Sequence, residues 1–380
     1  MATSQQASAL RTRELGRYFL RLGATGFGGP VALVGYMQRD LVERRAWFTA
    51  SEFSEGLALA QIAPGPLAAQ LAMYLGWLRG GAAGATLCAV AFVTPPLLLV
   101  LLISALYVRA GAIWWIGPAF IGVGAAVMCI IGRSIVKLSR LTLGRNQLLW
   151  VIALINAAGV IAWRSESVLL LLASGGLVLL ARRNSAAVTA YSLVPFLGIG
   201  AFSVPGASES LVGLFVFFAR AGAVVFGSGL AIIPFLYAGA VEQRHWLTDR
   251  QFVDAIAIAM ITPGPVVIVA TFVGYLVDGV TGGVVAALGV FLPPYLIVLV
   301  VAPRFREFAS KARVRAVVDG ITAGATGALI GAAFLLGIRT LAGFRELTIA
   351  AIVLVLLAVR ARVPEPLLII GAGLASIAIA

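Results

Sequence analysis

Charge is scarce in this 380-residue chain: Asp, Glu, Lys and Arg make up 11% of it, and 61% is hydrophobic. A soluble globular chain carries about 25% charged residues, so a water-exposed surface around one apolar core is excluded. Histidine is nearly absent, with His245 alone, which removes most His-based metal and triad chemistry. The two cysteines, Cys88 and Cys129, lie inside apolar runs, which excludes a disulfide scaffold and a four-Cys zinc site. No GxxxxGK[ST], HExxH or GxSxG motif occurs, and no hydrophilic stretch is long enough for a catalytic domain. An ATP-hydrolysing or otherwise enzymatic chain is therefore not expected, and neither is a cofactor or a metal. Energy has to come from gradients or a partner.

Lysine is also rare. Of 28 basic residues only Lys137 and Lys311 are not arginine, and the formal net charge is +13. Set between apolar runs, such charges fix membrane orientation and do not point to nucleic acid. The first 17 residues are polar, with Arg11, Arg13 and Arg17; they read as a cytoplasmic tail and not as a signal peptide. Apolar segments of membrane-crossing length follow, at 18–38, 54–78, 84–108, 112–132, 147–163 and 166–181. A weaker segment at 190–205 precedes 209–240, 251–277, 281–302, 316–338, 345–360 and 364–380. The expected class is an all-α polytopic membrane protein of 12–13 transmembrane helices.

The chain repeats itself. A shift of 199 lays residues 15–66 on 214–265 without a gap, with more than a third of the positions identical. Phe27-Gly28 falls on Phe226-Gly227, Glu43 on Glu242, Arg45 on Arg244 and Trp47 on Trp246. Pro64-Gly65-Pro66 falls on Pro263-Gly264-Pro265, and after one single-residue gap Pro95-Pro96 falls on Pro293-Pro294. The expected division is a tail at 1–17 and repeats at 18–206 and 207–380. With 190–205 as a span and the amino terminus inside, 19 basic residues fall inside and seven outside. Without that span the counts are 12 and 14. The first arrangement obeys the positive-inside rule and makes the repeats inverted.

Four matched constellations point to chemistry. Each Pro-Gly-Pro should break its helix, and broken backbone in a bilayer has to be covered by protein or line a cavity. Interrupted segments at matching places in two repeats mark a transporter's central site; the simpler alternative is a packing kink. The glycine runs around Gly28, Gly29, Gly227, Ser228 and Gly229 could converge backbone N–H groups on an anion, or simply pack helices closely. Arg21 and Arg220 sit at equivalent places within apolar helices, where a charge is costly and normally faces a polar interior. Guanidinium suits oxyanions; the alternative is snorkelling to the headgroups. Glu55 and Asp254 also match, as proton carriers or as acids at a helix start. Glu43 and Glu242, beside Arg45 and Arg244, read as loop ion pairs with no transport role.

The stretches FGGPVALVGYM, QIAPGPLAAQLAMYLGW, FGSGLAIIPFL and MITPGPVVIVATFVGY resemble the chromate ion transporter family over residues 15–380, most specifically in FGG and PGP. The resemblance is to the long, two-domain bacterial members. It implies export of chromate across the bacterial inner membrane, conferring resistance, with proton antiport and sulfate handling. The expected substrate-binding residues are Arg21, Arg220, the glycine-run residues, Pro64, Gly65, Pro66, Thr262, Pro263, Gly264 and Pro265. Proton coupling is expected at Glu55 and Asp254. The implied partners are chromate or sulfate, protons, the lipid bilayer and a second copy in a homodimer. A passive anion channel and a lipid-phosphate flippase are the alternatives. The FGSG of the second repeat, in place of FGG, leaves the two halves' shares in the site open.

Overall fold

A computed structural model describes residues 2–27, 29–110, 116–163, 168–181, 210–225, 229–305, 312–359 and 363–379; the weak segment at 190–205 lies outside these. Every element among the described residues is helical, as a bilayer requires of backbone that has no water to bond. The first repeat contains α1 (Ala2–Thr25), α2 (Gly29–Met37), α3 (Ala50–Ile62), α4 (Leu67–Ala110), α5 (Ile116–Thr142), α6 (Gln147–Trp163) and α7 (Val168–Ala181). The second contains α8 (Leu211–Val224), α9 (Ile232–Leu236), α10 (Asp249–Ile261), α11 (Val269–Val301), α12 (Ala312–Thr340), α13 (Phe344–Val359) and α14 (Glu365–Ala378). π-Helical turns at matching places, Gln38–Arg44 and Tyr237–Gln243, follow α2 and α9.

The apolar runs are where the sequence places them, but not all of them go straight through. The stretch 18–45 folds back at the glycine break, since the Arg45 guanidinium lies 5.5 Å from the Tyr18 ring centre. The Pro-Gly-Pro stretch folds back too. A side chain on Gly56 would press into the Tyr74 ring and Leu71, so the arms before and after the prolines lie side by side. Each arm of 13 residues is about 20 Å long, short of the roughly 30 Å hydrocarbon layer. The second repeat does the same. Arg244 lies over the Phe217 ring at 4.6 Å, and both Asp254 and Phe272 meet Tyr107. Hydropathy sees an apolar run of the right length and cannot tell a half-depth hairpin from a crossing.

Four stretches among the described residues are long and apolar enough to cross: Leu67–Arg109, Pro118–Thr142, Val266–Arg304 and Ala312–Thr340. The first and third bend sharply at Gly80-Gly81 and Asp278-Gly279, so the arms 82–110 and 280–301, about 40 and 33 Å long, make the passage. Tight glycine contacts close both bends, with Gly76 against the Gly84 carbonyl and Gly274 against that of Gly282.

The repeats are inverted and interlocked. Thr86 and Tyr295 share a 2.6 Å hydrogen bond between their hydroxyls, while Gly283 lies under Leu101; the two long arms therefore run in opposite directions. Gly124 meets Thr340, and Thr142 lies 3.2 Å from Thr326, so α5 and α12 are antiparallel as well. The terminal helices then cross over. Ser376 of α14 donates to the Pro118 carbonyl of α5 at 2.7 Å, whereas Gly327 and Gly331 of α12 rest on the Ala153 and Ala157 carbonyls of α6. Small residues let backbones approach where lipid supplies no hydrophobic drive between helices.

Candidate functional site

Each Pro-Gly-Pro tip is bonded into the opposite repeat. The Gly65 N–H donates to the Val225 carbonyl at 2.5 Å, and the Gly264 N–H donates to the Gly26 carbonyl at 2.8 Å. Each tip therefore satisfies its broken backbone on the glycine break of the other repeat. Beneath each glycine sits a proline of the opposite long arm, Pro294 under Gly65 and Pro96 under Gly264. With φ of +140° and +96°, and with a proline where a Cβ would go, both positions require glycine. Pro64, Gly65, Pro66, Pro263, Gly264 and Pro265 are all buried, so the interruptions face protein and not lipid.

Among the described residues, polar side chains near the tips include Gln70 and Thr262. Gln70 is fully buried; its amide nitrogen donates to the Pro64 carbonyl at 2.7 Å, and its Oε1 has no partner among the described residues. The Thr262 hydroxyl donates back to Ala259 in its own helix. Gly229 packs on Val266 and Val267, and Gly29 has φ of +73° with open space on its Cβ side. Gly28, Gly227 and Ser228 lie outside the described residues.

Arg21 lines an open cavity of about 390 Å³ between α1 and the α2–π segment, with Tyr18, Thr25, Tyr36, Arg39 and Arg45 among its walls. The fold-back brings the Arg39–Arg45 stretch beside α1, and the π turn presents Arg39, Asp40 and Arg44 to the same space. Among the described residues, Asp40 is the one carboxylate in the lining, held by Arg39 at 3.1 Å and Arg44 at 3.7 Å. Among the described residues, none of the second repeat lines this cavity; it does not bring Arg21 and Arg220 together.

The matched place in the second repeat is filled. Phe217 stands at the Tyr18 position, stacked on Phe235 at 5.3 Å, and a side chain on Gly239 would strike its ring. Arg220 is half-buried, and its Nη2 has no hydrogen-bond partner among the described residues. Arg244 lies over Phe217 and Trp246. The expected loop pairing of Glu242 with its neighbour Arg244 is not formed. Glu242 pairs with Arg339 of α12 at 3.1 Å, because the π turn directs it toward that helix.

Neither matched carboxylate is a first-turn acid. Thr49 and Thr248 are the N-caps, each in a reciprocal capping box with Glu52 or Gln251, so Glu55 and Asp254 lie beyond the reach of the macrodipole. Asp254 is 2% exposed and accepts the Tyr107 hydroxyl at 2.7 Å. Glu55 is half-buried. The residue matching Tyr107 in the second repeat is Phe305, so the pair belongs to one side only. Sequence reasoning missed Tyr18, Tyr36, Arg39, Arg44 and Tyr107; the available signal was Arg45, which matches Arg244 across the repeat.

The sequence profile described as chromate transporter matches residues 13–180 and again 212–377. The chain is 47% identical to the chromate transport protein of Cupriavidus metallidurans, over 95% of this chain and 92% of that one. It is 46% identical to the probable chromate transport protein of Synechococcus elongatus, over 97% and 96%. Identity to the chromate transport protein of Pseudomonas aeruginosa is 33%, over 83% and 78%. No solved structure matches the chain. Two profile matches on two inverted copies of one fold leave one assignment: the chain is a multi-pass membrane protein and belongs to the chromate transporter family.

Proposed function

We propose that the chain is a secondary transporter that exports a tetrahedral oxyanion, chromate with sulfate as a second substrate, across the bacterial inner membrane. The observation that carries this reading is the arginine-lined cavity, which opens beside interruptions that two inverted repeats bury against each other. Arg21 serves as the anion's first cation and Arg220 as its matched partner on the far side. The Pro-Gly-Pro tips, with Thr262, Gly29 and Gly229, form the barrier between them, and Gly28, Gly227 and Ser228 are further candidates for binding the substrate. The repeats divide near residue 206. The positive-inside rule supports placing the cavity mouth, with Arg39, Arg44, Arg45 and Arg79, in the cytoplasm.

The energetics agree with export. A dianion leaving a negative-inside cell gains about 4.6 kcal/mol per 100 mV, twice the roughly 2.3 for one charge, so ATP is not needed. Asp254, buried with a phenol as its hydrogen-bond donor, and Glu55 are the proton carriers of an antiport. Uptake of labelled chromate and sulfate into proteoliposomes, with voltage and pH gradients imposed separately, tests the function. Saturable uptake that falls at least tenfold in Arg21→Gln supports it. A pH-gradient component that vanishes in Asp254→Asn supports the coupling. Currents far above any alternating-access turnover would make the protein a channel and end the reading.

A further inference from the structure

We propose that the Tyr18 hydroxyl and the Arg45 guanidinium are direct ligands of the transported oxyanion, joining Arg21 in the cavity between α1 and the α2–π segment. This rests on the function proposed above and names the chemistry of its loading site. Tyr18 is only 7% exposed, yet its Oη has no hydrogen-bond partner among the described residues. A buried phenol without a partner is costly, so its position on the wall of a polar cavity calls for an acceptor from outside the protein.

The ring is held for that task. Phe19 meets it edge-on with centroids 5.2 Å apart, and Arg45 covers it at 5.5 Å. Trp47 in turn holds Arg45, at 4.7 Å. Asp40 is taken by Arg39 and Arg44, and no described residue forms an ion pair with Arg21 or Arg45. The two guanidiniums can only donate and the phenol O–H is free to donate beside them, and a small dianion with four acceptor oxygens complements all three. At about 30 Å³ per water, a cavity of about 390 Å³ takes such an ion with part of its hydration shell.

The second repeat supplies the contrast. It keeps the arginine pair as Arg220 and Arg244 but has Phe217 for Tyr18, Ala238 for Arg39 and Gln243 for Arg44. The hydroxyl is gone and the ring fills the room. The same contrast shows that phenylalanine fits this place in the fold, so Tyr18→Phe removes a hydrogen-bond donor without removing packing.

The test is equilibrium binding of labelled chromate, and separately of labelled sulfate, to the purified full chain in nanodiscs of zwitterionic lipid. Tyr18→Phe should weaken binding about tenfold, and Arg45→Gln at least as much, as expected for hydrogen bonds to a charged group. In transport, KM should rise with kcat largely kept, and the melting temperature of Tyr18→Phe should stay at the wild-type value. Unchanged affinity of Tyr18→Phe, in a protein that binds chromate, overturns this inference and leaves the function standing. No binding by the unaltered chain overturns both. Chromate binding abolished by adding phosphatidylglycerol to the discs would mark a lipid phosphate as the occupant and overturn the assignment to a free oxyanion.

Discussion

Pro96 cannot donate to the Phe92 carbonyl four residues earlier, and Pro294 leaves the Val290 carbonyl in the same state. Both orphan oxygens are covered in the same way. The Phe92 carbonyl lies where a Cβ on Gly23 would be, and the Val290 carbonyl where one on Gly222 would be. The glycines let a neighbouring helix close over the oxygen, with a Cα–H contact in place of the lost N–H. Gly23→Ala and Gly222→Ala should each destabilise the protein by about 1–3 kcal/mol, since the obstacle is backbone and the strain of overpacking has no flexible side chain to absorb it. Gly35→Ala, with nothing within 4 Å of its Cβ site, should be neutral or gain about 0.5–1 kcal/mol from helix propensity. Thermal melts in detergent distinguish the three.

The two copies of each element have diverged in what ties them down. In the second repeat Arg339, near the end of α12, bonds Asp249 at 2.8 Å and 2.9 Å and the Tyr237 hydroxyl at 2.7 Å, with Glu242 paired at 3.1 Å. The π turn, the start of α10 and the end of α12 are thereby joined. The matching first-repeat positions for Tyr237, Asp249 and Arg339 are Gln38, Ala50 and Leu141, which cannot form the network. Asp249→Asn should cost on the order of 1 kcal/mol, because these side chains are partly exposed and water screens them. It should also raise the hydrogen exchange of 237–250 while leaving 38–51 unchanged, and exchange mass spectrometry reads both. Much of this level was legible in the sequence. The repeat, the breaks and the proline pairs followed from matched residues that local backbone chemistry makes costly. The fold-back of 18–45 and 54–78 was not, because hydropathy registers only length and apolarity. The cavity went unseen with it, since Tyr18 and Arg45 become neighbours only once the chain has turned.

That fold-back decides which end of the molecule carries which charges, and this can be measured. If 18–38 and 54–78 were through-going helices, Arg44 would lie across the membrane from the amino terminus and Gln243 on the amino-terminal side. The folded hairpins reverse both. Arg45 packs on Tyr18, and Arg79 lies over the Phe48 ring at 4.4 Å, next to the bend at Gly80, which touches Thr12. Arg44 therefore shares the amino-terminal end. Gln243 sits with Asp249 and Arg339 at the opposite end, the end at which the 82–110 arm finishes beside Asp254. The native cysteines are buried and give no background. In right-side-out vesicles a membrane-impermeant maleimide should label Gln243→Cys and spare Arg44→Cys; in inside-out vesicles the pattern should exchange. Labelling of both from one face would mean that the repeats run the same way across the bilayer. The antiparallel packing of the two long arms, with Thr86 bonded to Tyr295 and Gly283 under Leu101, could not then form, because it requires one copy to enter from each side.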